Sequence, residues 1–176
     1  MAKIITVGAA IQDVFLSQSD ALTPVCESPE HCFARLDLGA KADVNQIHFS
    51  TGGGATNAAV TFSRQGHYAS FMGAIGHDPA GQAVIADLDK ENIDTHLVRY
   101  SPKYSTGYSV LLLASNGERT ILTYRGASTH YHEADFDLSE EDADWLYVST
   151  LAGNMPMLHK LFQQAKRRDM KICFNP

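Results

Sequence analysis

The stretch of the chain with the clearest chemical signature is residues 51–60, TGGGATNAAV, where a run of glycines precedes an asparagine. A glycine run at a helix entrance usually lets another group approach the backbone closely. A nucleotide phosphate is the first candidate, but a P-loop needs a lysine after its last glycine, and the next basic residue here is Arg64. A dinucleotide fingerprint needs a glycine where this chain has Asn57. The pattern therefore favours a group other than a phosphate.

Composition limits the classes of function. With 176 residues, 44% of them hydrophobic, the chain is long enough for one domain with its own core. A formal net charge of −6 offers no electrostatic footprint for nucleic acid or an anionic membrane. The longest apolar run, residues 110–114, is far too short to span a membrane, and the N-terminus lacks a signal-peptide pattern. The cysteines, 3 in number and without a C-x-x-C pair, predict reduced thiols in a cytoplasmic protein.

Short apolar runs alternate with amphipathic stretches along most of the chain. Runs at residues 4–7 and 69–75 predict buried strands, and runs at 146–148 and 171–174 predict further strands in the same alternation. Helical spacing follows the glycine run as far as Gly66, begins again after Asp78-Pro79, and covers about residues 156–168. Strands that alternate with helices in this way predict βαβ units, and therefore an α/β fold with a mostly parallel sheet flanked by helices.

Two regions interrupt the alternation. Residues 15–50 contain no convincing helix, and residues 106–124 predict a hairpin with strands at 108–113 and 119–124 and a turn at 115–118. These regions are either antiparallel edge strands of the main sheet or a small separate sheet of their own.

The glycine run belongs to a longer pattern, in which Gly52-Gly53-x-Ala55-x-Asn57-x-Ala59 is followed by Gly66 and Gly76. This spacing resembles the first signature of the PfkB, or ribokinase-like, carbohydrate kinases. Other short stretches agree in the same order, namely VGAAIQD at 7–13, GHDPAG at 76–81, STG at 105–107, NGER at 116–119 and RGA at 125–127. The resemblance extends over essentially the whole chain but covers only the N-terminal part of the family fold.

The resemblance implies a ribokinase-like fold and a kinase that transfers the γ-phosphate of ATP, carried by Mg²⁺, to a hydroxyl of a sugar, a sugar-like compound or a nucleoside. The interruptions at 15–50 and 106–124 would then form a small antiparallel β lid, which excludes water from the reaction. Lids of this family often pair, so the resemblance also implies a homodimer through the lid, with Val110, Leu112, Ile121 and Leu122 as its apolar candidates.

The same resemblance assigns the acceptor site. Asp13 would accept hydrogen bonds from two sugar hydroxyls, Gly52 and Gly53 would bring the backbone close to the sugar, and Asn57 would supply an amide. Arg125 would reach the acceptor or the moving phosphoryl group, although it could equally be a surface charge. Asp13 could also merely cap a turn, and Asn57 could be an ordinary residue of the first helical turn.

The chain also departs from the family. It contains no Gly-Ala-Gly-Asp, the second signature, which supplies the catalytic aspartate and a helix N-terminus that stabilises the moving phosphate. We therefore expect residues 1–176 to be the N-terminal part of a kinase domain, with no catalytic residue or metal site and with the main ATP site beyond residue 176. Ribokinases carry a lysine where this chain has Gly54, and they have an acidic substrate contact near the position of Leu151. Both differences argue against ribose as the acceptor.

Two other functions are compatible with the residues. An NAD(P)-binding Rossmann enzyme would also use a glycine-rich turn, although the third glycine of its fingerprint is missing. A non-catalytic sugar-sensing module would keep the acceptor site and the lid without the catalytic segment.

Overall fold

A computed structural model of the protein describes residues 1–28 and 31–176, so positions 29 and 30 of the region predicted as a lid lie outside it. The chain forms two compact units. We call the first the α/β body; it comprises Met1–Gln12, Thr51–Gly107 and Arg125–Pro176. We call the second the β unit; it comprises Asp13–Ser50 and Tyr108–Tyr124.

The helices are α1 Gly54–Arg64, α2 Pro79–Lys90 and α3 Met155–Arg167. The strands, in chain order, are β1 Lys3–Val7, β2 Ile11–Ser17, β3 Val25–Ser28, β4 His31–Phe33, β5 Gln46–Gly52, β6 Tyr68–Met72, β7 Ala74–Gly76, β8 Arg99–Ser101, β9 Gly107–Leu113, β10 Arg119–Tyr124, β11 Trp145–Val148 and β12 Lys171–Phe174. Short 3₁₀ turns occupy Asp20–Leu22, Gly126–Thr129, Glu133–Asp135 and Leu151–Gly153.

The α/β body is built on a sheet of parallel strands in the order β12-β11-β1-β6. A core cluster includes Val7 and Val148 of the sheet with Leu161 of α3. Another cluster includes Ala59 of α1, Phe71 of β6, and Val84 and Leu88 of α2. Because helices cover apolar strands in both clusters, the predicted α/β fold with a mostly parallel sheet is confirmed.

The helix ends follow local chemistry that the sequence already shows. The Asp78 carboxylate caps α2 by accepting a hydrogen bond from the backbone N–H of Gly81 at 2.8 Å. Helix α1 is followed by Gly66, whose φ of +84° continues the chain in the left-handed region. The Asn154 side chain caps α3 by accepting from the N–H of Met157 at 3.1 Å. The three helix predictions are therefore confirmed to within a residue or two.

The single strand predicted over residues 69–75 is wrong, because the chain breaks it at Gly73. A Cβ at Gly73 would lie 2.2 Å from the Phe71 ring and 2.6 Å from the carbonyl oxygen of Gly8. Strand β6 ends before this close approach and pairs with β1, whereas β7 begins after it and pairs with β8. The tight contact redirects the chain from one strand partner to another.

The β unit contains a sheet in the order β10-β9-β2-β5 and a separate pair, β3-β4. Strands β9 and β10 are antiparallel, with Leu113 opposite Arg119, and the Ala114 N–H donates to the carbonyl of Glu118 across the turn at 2.9 Å. The predicted hairpin is therefore confirmed. Of the two interpretations of the interrupting regions, the separate sheet is the observed one.

The expectation of reduced cysteines is wrong for one pair. Cys26 on β3 lies directly opposite Cys32 on β4, and their sulfur atoms form a disulfide. Spacing along the chain could not reveal this pairing, because it depends on the register of the two strands. Cys173 is free and exposed.

A hydrogen-bond network of Gly76, Asp78 and Thr106, which we call the Asp78 network, joins the loop after β7 to the start of β9. The Asp78 carboxylate accepts from both the N–H and the hydroxyl of Thr106, at 2.8 and 2.7 Å, and the Gly76 N–H donates to the Thr106 hydroxyl oxygen at 2.9 Å. A Cβ at Gly76 would lie 2.6 Å from the Asp78 carboxylate, and one at Gly81 would lie 2.5 Å from the Gly76 carbonyl. Two of the family-like stretches, at 76–81 and 105–107, thus pack on each other.

We expect Asp78→Asn to lower the free energy of unfolding by about 1–3 kcal/mol, because the amide cannot accept every hydrogen bond that the carboxylate accepts in the Asp78 network. Burial raises the pKa of Asp78, but hydrogen bonds from Thr106 and Gly81 outweigh it and hold the pKa below its usual value of 3.8. A depressed pKa contributes stability above pH 3.8 that is lost as the pH falls further.

Urea unfolding at several pH values checks this expectation. The difference in unfolding free energy between wild type and Asp78→Asn should shrink in acid. Asp89→Asn, at an exposed position of the same helix, is the matched control and should change little. An equal loss of unfolding free energy in both variants would mean that the Asp78 network contributes no specific stability.

Candidate functional site

The entrance of α1 is held by a close approach of two backbone segments. Gly53 caps the helix with a φ of +115°, and no side chain caps it. A Cβ on Gly53 would lie 2.2 Å from the carbonyl oxygen of Ala9, which follows β1. The group that comes close to this glycine is therefore the chain itself, and glycine is required here even without a ligand.

Thr56 fixes the two carbonyls that precede the helix. Its buried hydroxyl lies within hydrogen-bonding distance of the carbonyl oxygens of Gly52 and Gly53, at 2.7 and 3.0 Å. The Asn57 N–H donates to the Gly53 carbonyl at 3.0 Å, and the Asn57 residue is exposed. The backbone around Gly52 and Gly53 is thus pre-organised, with N–H groups of the first helical turn lacking intrahelical partners.

Ser149 packs against the same entrance from the end of β11. Its N–H donates to the Val7 carbonyl at 3.0 Å, which extends the pairing of β1 with β11. A Cβ at Gly8 would lie 2.1 Å from the Ser149 hydroxyl oxygen, and one at Gly54 would lie 3.3 Å from it. Glycines at 8 and 54 therefore make room for one buried serine. Neither Ser149 nor Thr56 was identified from the sequence, because Ser149 lies far from the glycine pattern and Thr56 occupies one of its unspecified positions.

Arg125 reaches the same end of the sheet through a short turn. It precedes the 3₁₀ turn Gly126–Thr129. Ser128 ties this turn to the loop between β1 and β2, because its hydroxyl donates to the Ala10 carbonyl at 2.9 Å and accepts from the Ala10 N–H at 3.3 Å. Arg125, Ser149 and Leu151 line a cavity of about 20 Å³ beside Ala9. The structure therefore brings the segments of Gly53, Asn57 and Arg125 together around residues 9 and 10.

The chain adopts an unusual backbone at the wall of that cavity. Leu151 and Ala152 have φ values of 44° and 52°, the left-handed region that side chains other than glycine rarely occupy, and Gly153 follows at 76°. These residues lie just beyond the carboxyl end of β11, after Ser149 and Thr150, and this is the end at which open parallel sheets bind ligands. Strained backbone of this kind is often found at functional sites.

Asp13 lies within β2 and belongs to the β unit. Its backbone is therefore part of a strand and not of a turn. Burial raises the pKa of its carboxyl, while a hydrogen bond with the Ser109 side chain on β9 opposes that rise. Asp13 is thus a half-buried carboxyl that is positioned by its own sheet, in a different unit from Gly52, Gly53, Asn57 and Arg125.

Residues 1–28 and 31–176 contain no group of three or more histidine, cysteine or acidic side chains that could hold a metal ion. Over the same residues, no helix is long and apolar enough to cross a membrane. The chain offers no P-loop either. The side chains of the described residues therefore provide no ligand set that fits Mg²⁺.

Comparison with known proteins identifies the family. The profile of pfkB family carbohydrate kinases matches residues 3–176. A fructokinase from Vibrio alginolyticus is 29% identical over 130 residues, which cover 71% of this chain and 42% of the relative.

Two solved structures show the same fold. The ribokinase of Cryptococcus neoformans in complex with ADP has a TM-score of 0.71 and 20% identity, covering 100% of this chain and 51% of that one. A sugar kinase from Pyrococcus horikoshii in complex with ATP has a TM-score of 0.72 and 23% identity, covering 97% of this chain and 52% of that one. The chain thus spans about half, or less, of the length of these proteins.

Proposed function

The chain belongs to the pfkB family of carbohydrate kinases, and on that premise we propose that it supplies the acceptor-binding half of an ATP-dependent kinase. The acceptor is a hydroxyl of a sugar, a sugar-like compound or a nucleoside. The observation that carries the proposal is the glycine entrance of α1. It is a rigid backbone corner, fixed by Thr56 and Ala9, whose N–H groups have no side-chain cap. Such a corner suits the recognition of closely spaced hydroxyls.

Each residue has a distinct role in this proposal. Gly52 and Gly53 present the backbone, Asn57 offers an exposed amide that can donate and accept, and Asp13 accepts from two acceptor hydroxyls. Arg125 supplies a positive charge at the carboxyl end of the sheet, beside the strained turn of Leu151. We further propose that the β unit is the lid of the family fold and that the protein works in the cytoplasm.

The catalytic base and the sites for ATP and Mg²⁺ lie, in this proposal, in the half of the family fold beyond residue 176. Phosphoryl transfer depends on positioning and on charge stabilisation around the moving group. The residues of this chain can position an acceptor, but no described aspartate stands in a Gly-Ala-Gly-Asp helix start. We therefore expect the isolated chain to bind an acceptor weakly and to transfer no phosphate.

The test combines calorimetric titration of the purified chain with a coupled ADP-release assay, using a panel of sugars, sugar acids and nucleosides. The proposal expects heat of binding from at least one acceptor and ADP release no higher than the blank. Acceptor-dependent ADP release would show that the catalytic base lies within residues 1–176. Saturable quenching of protein fluorescence by NADH, with no sugar bound, would favour the Rossmann alternative instead.

A homodimer is part of the same proposal. All six residues of β10 are exposed at the end of the sheet order, with Ile121 at 47% and Leu122 at 59%. Val110 and Leu112, the other predicted candidates, are half-buried. An apolar edge strand of this kind tends to pair with another chain. Sedimentation velocity should show a dimer that Ile121→Lys converts to a monomer, whereas a wild-type monomer at every concentration would exclude this interface.

A further inference from the structure

The disulfide of the β unit joins two solvent-exposed residues. Cys26 and Cys32 face each other across the antiparallel β3-β4 pair, and both residues are exposed. Thiol–disulfide exchange requires a thiolate to reach one of the sulfur atoms, and burial normally prevents this. Exposure at both ends of the bridge removes that protection.

The described residues of the β3-β4 pair bury little surface. Its strands form a two-stranded sheet that is separate from the main sheet of the β unit. Six of its seven residues are exposed, and Ser28 is half-buried. Short two-stranded ribbons of this kind are at best marginally stable in water. Among the described residues, the Cys26–Cys32 bridge therefore adds a covalent link to the backbone pairing of β3 with β4.

The same pair forms one side of a groove in the β unit. Cys32, Phe33 and Ala34 line it on one side, and Leu112, Arg119 and Thr120 of the β9-β10 hairpin line it on the other. The groove has a volume of about 490 Å³. Any change in the order of β4 therefore changes the shape of this groove.

We propose that Cys26–Cys32 is a reversible redox site that orders the β3-β4 pair and, with it, one wall of the groove. A protein or small-molecule dithiol is the reductant. One of its thiolates attacks a bridge sulfur to give a mixed disulfide, and its second thiol then displaces the protein cysteine. In the net reaction the protein bridge opens to two thiols, the reductant closes to a disulfide, and two electrons and two protons pass to the protein.

Dithiothreitol serves as the dithiol in the test, and iodoacetamide traps free thiols for intact-mass measurement. Without reductant we expect one added group, on Cys173, and two more after reduction. Hydrogen exchange is measured in parallel on the peptides that cover 25–28 and 31–33. On reduction their amides should exchange about tenfold faster or more, while those of β1 and β11 keep their rates. Dialysis against oxidised dithiothreitol should restore both readings.

Matched variants separate the bridge from other effects. Cys26→Ser/Cys32→Ser should exchange like the reduced protein and lose its response to dithiothreitol, whereas Cys173→Ser should respond like wild type. Three added groups without any reductant would overturn the proposal, because the bridge would not form. Equal exchange rates in both redox states would also overturn it, because the bridge would not order the pair. Neither readout uses a sugar or ATP, so the result is independent of the proposed kinase function.

Discussion

Replacing Gly53 by alanine is expected to lower the free energy of unfolding by about 3 kcal/mol or more. The new Cβ would lie 2.2 Å from the carbonyl oxygen of Ala9 and 2.8 Å from its carbonyl carbon, so one backbone segment must move. In addition, a φ of +115° is unfavourable for any residue with a Cβ. The displaced segment is the one that joins β1 to β2, so the loss should extend to the packing of α1 on the sheet.

Gly66→Ala provides the matched control, because it isolates the conformational part of the effect. Gly66 also has a positive φ, +84°, but no atom lies within 4 Å of its ideal Cβ. We expect a loss of about 1 kcal/mol there, from backbone strain alone. Urea unfolding of both variants gives the comparison. If the two losses are equal, the contact between Gly53 and Ala9 is not a constraint on the fold.

Local signals in the sequence were sufficient for the elements that depend on neighbouring residues. Asp78-Pro79 marks the start of α2, and Gly66 follows α1, because caps and left-handed residues act within one turn. The β9-β10 hairpin was predictable for the same reason, since its turn and its alternating strands are contiguous in the chain. These predictions are accurate because the physics that decides them is short in range.

Contacts between distant segments decided the features that the sequence did not reveal. The break at Gly73 results from an approach to Gly8, and the cysteine bridge results from a strand register. Ser149 could not be identified from the sequence, because its side chain fits into space that exists only where residues 8 and 54 are glycines. Periodicity along one segment carries no information about such pairs, which lie far apart in the chain.

The glycine run shows how one signal can have two causes. The resemblance attributes Gly53 to acceptor binding, whereas the structure shows a close backbone contact that requires glycine by itself. Both causes act through the same property, the absence of a Cβ. The role in binding therefore needs a test at a residue whose substitution leaves this packing intact, and Asp13 is such a residue because it belongs to the β unit.

Asp13→Asn, made in a kinase that contains this chain and the second half of the family fold, is expected to raise the acceptor KM about ten- to a hundredfold. This corresponds to about 1.5–3 kcal/mol, the contribution of a hydrogen bond to a charged group. Asparagine keeps the size of the side chain but loses the charge and one acceptor oxygen. The KM for ATP should not change, since the proposal assigns Asp13 to the acceptor alone.

The pH dependence sharpens this expectation. Burial raises the pKa of Asp13 above its usual value of 3.8 despite the hydrogen bond with Ser109, so the carboxyl becomes neutral at a higher pH than an exposed aspartate. In wild type, kcat/KM for the acceptor should therefore fall as the pH is lowered toward that raised pKa. Asp13→Asn should lose this acid limb, because the amide does not titrate.

Two controls decide whether Asp13 acts on the acceptor or on the fold. Asp20→Asn, at an exposed position of the same unit, should leave both KM values unchanged. Ser109→Ala removes one hydrogen-bonding partner of Asp13 but keeps the charge of Asp13, so it should shift the acid limb to higher pH with only a small change in KM at neutral pH. If Asp13→Asn instead weakens ATP and leaves the acceptor KM unchanged, Asp13 belongs to the nucleotide site and the acceptor must be bound elsewhere.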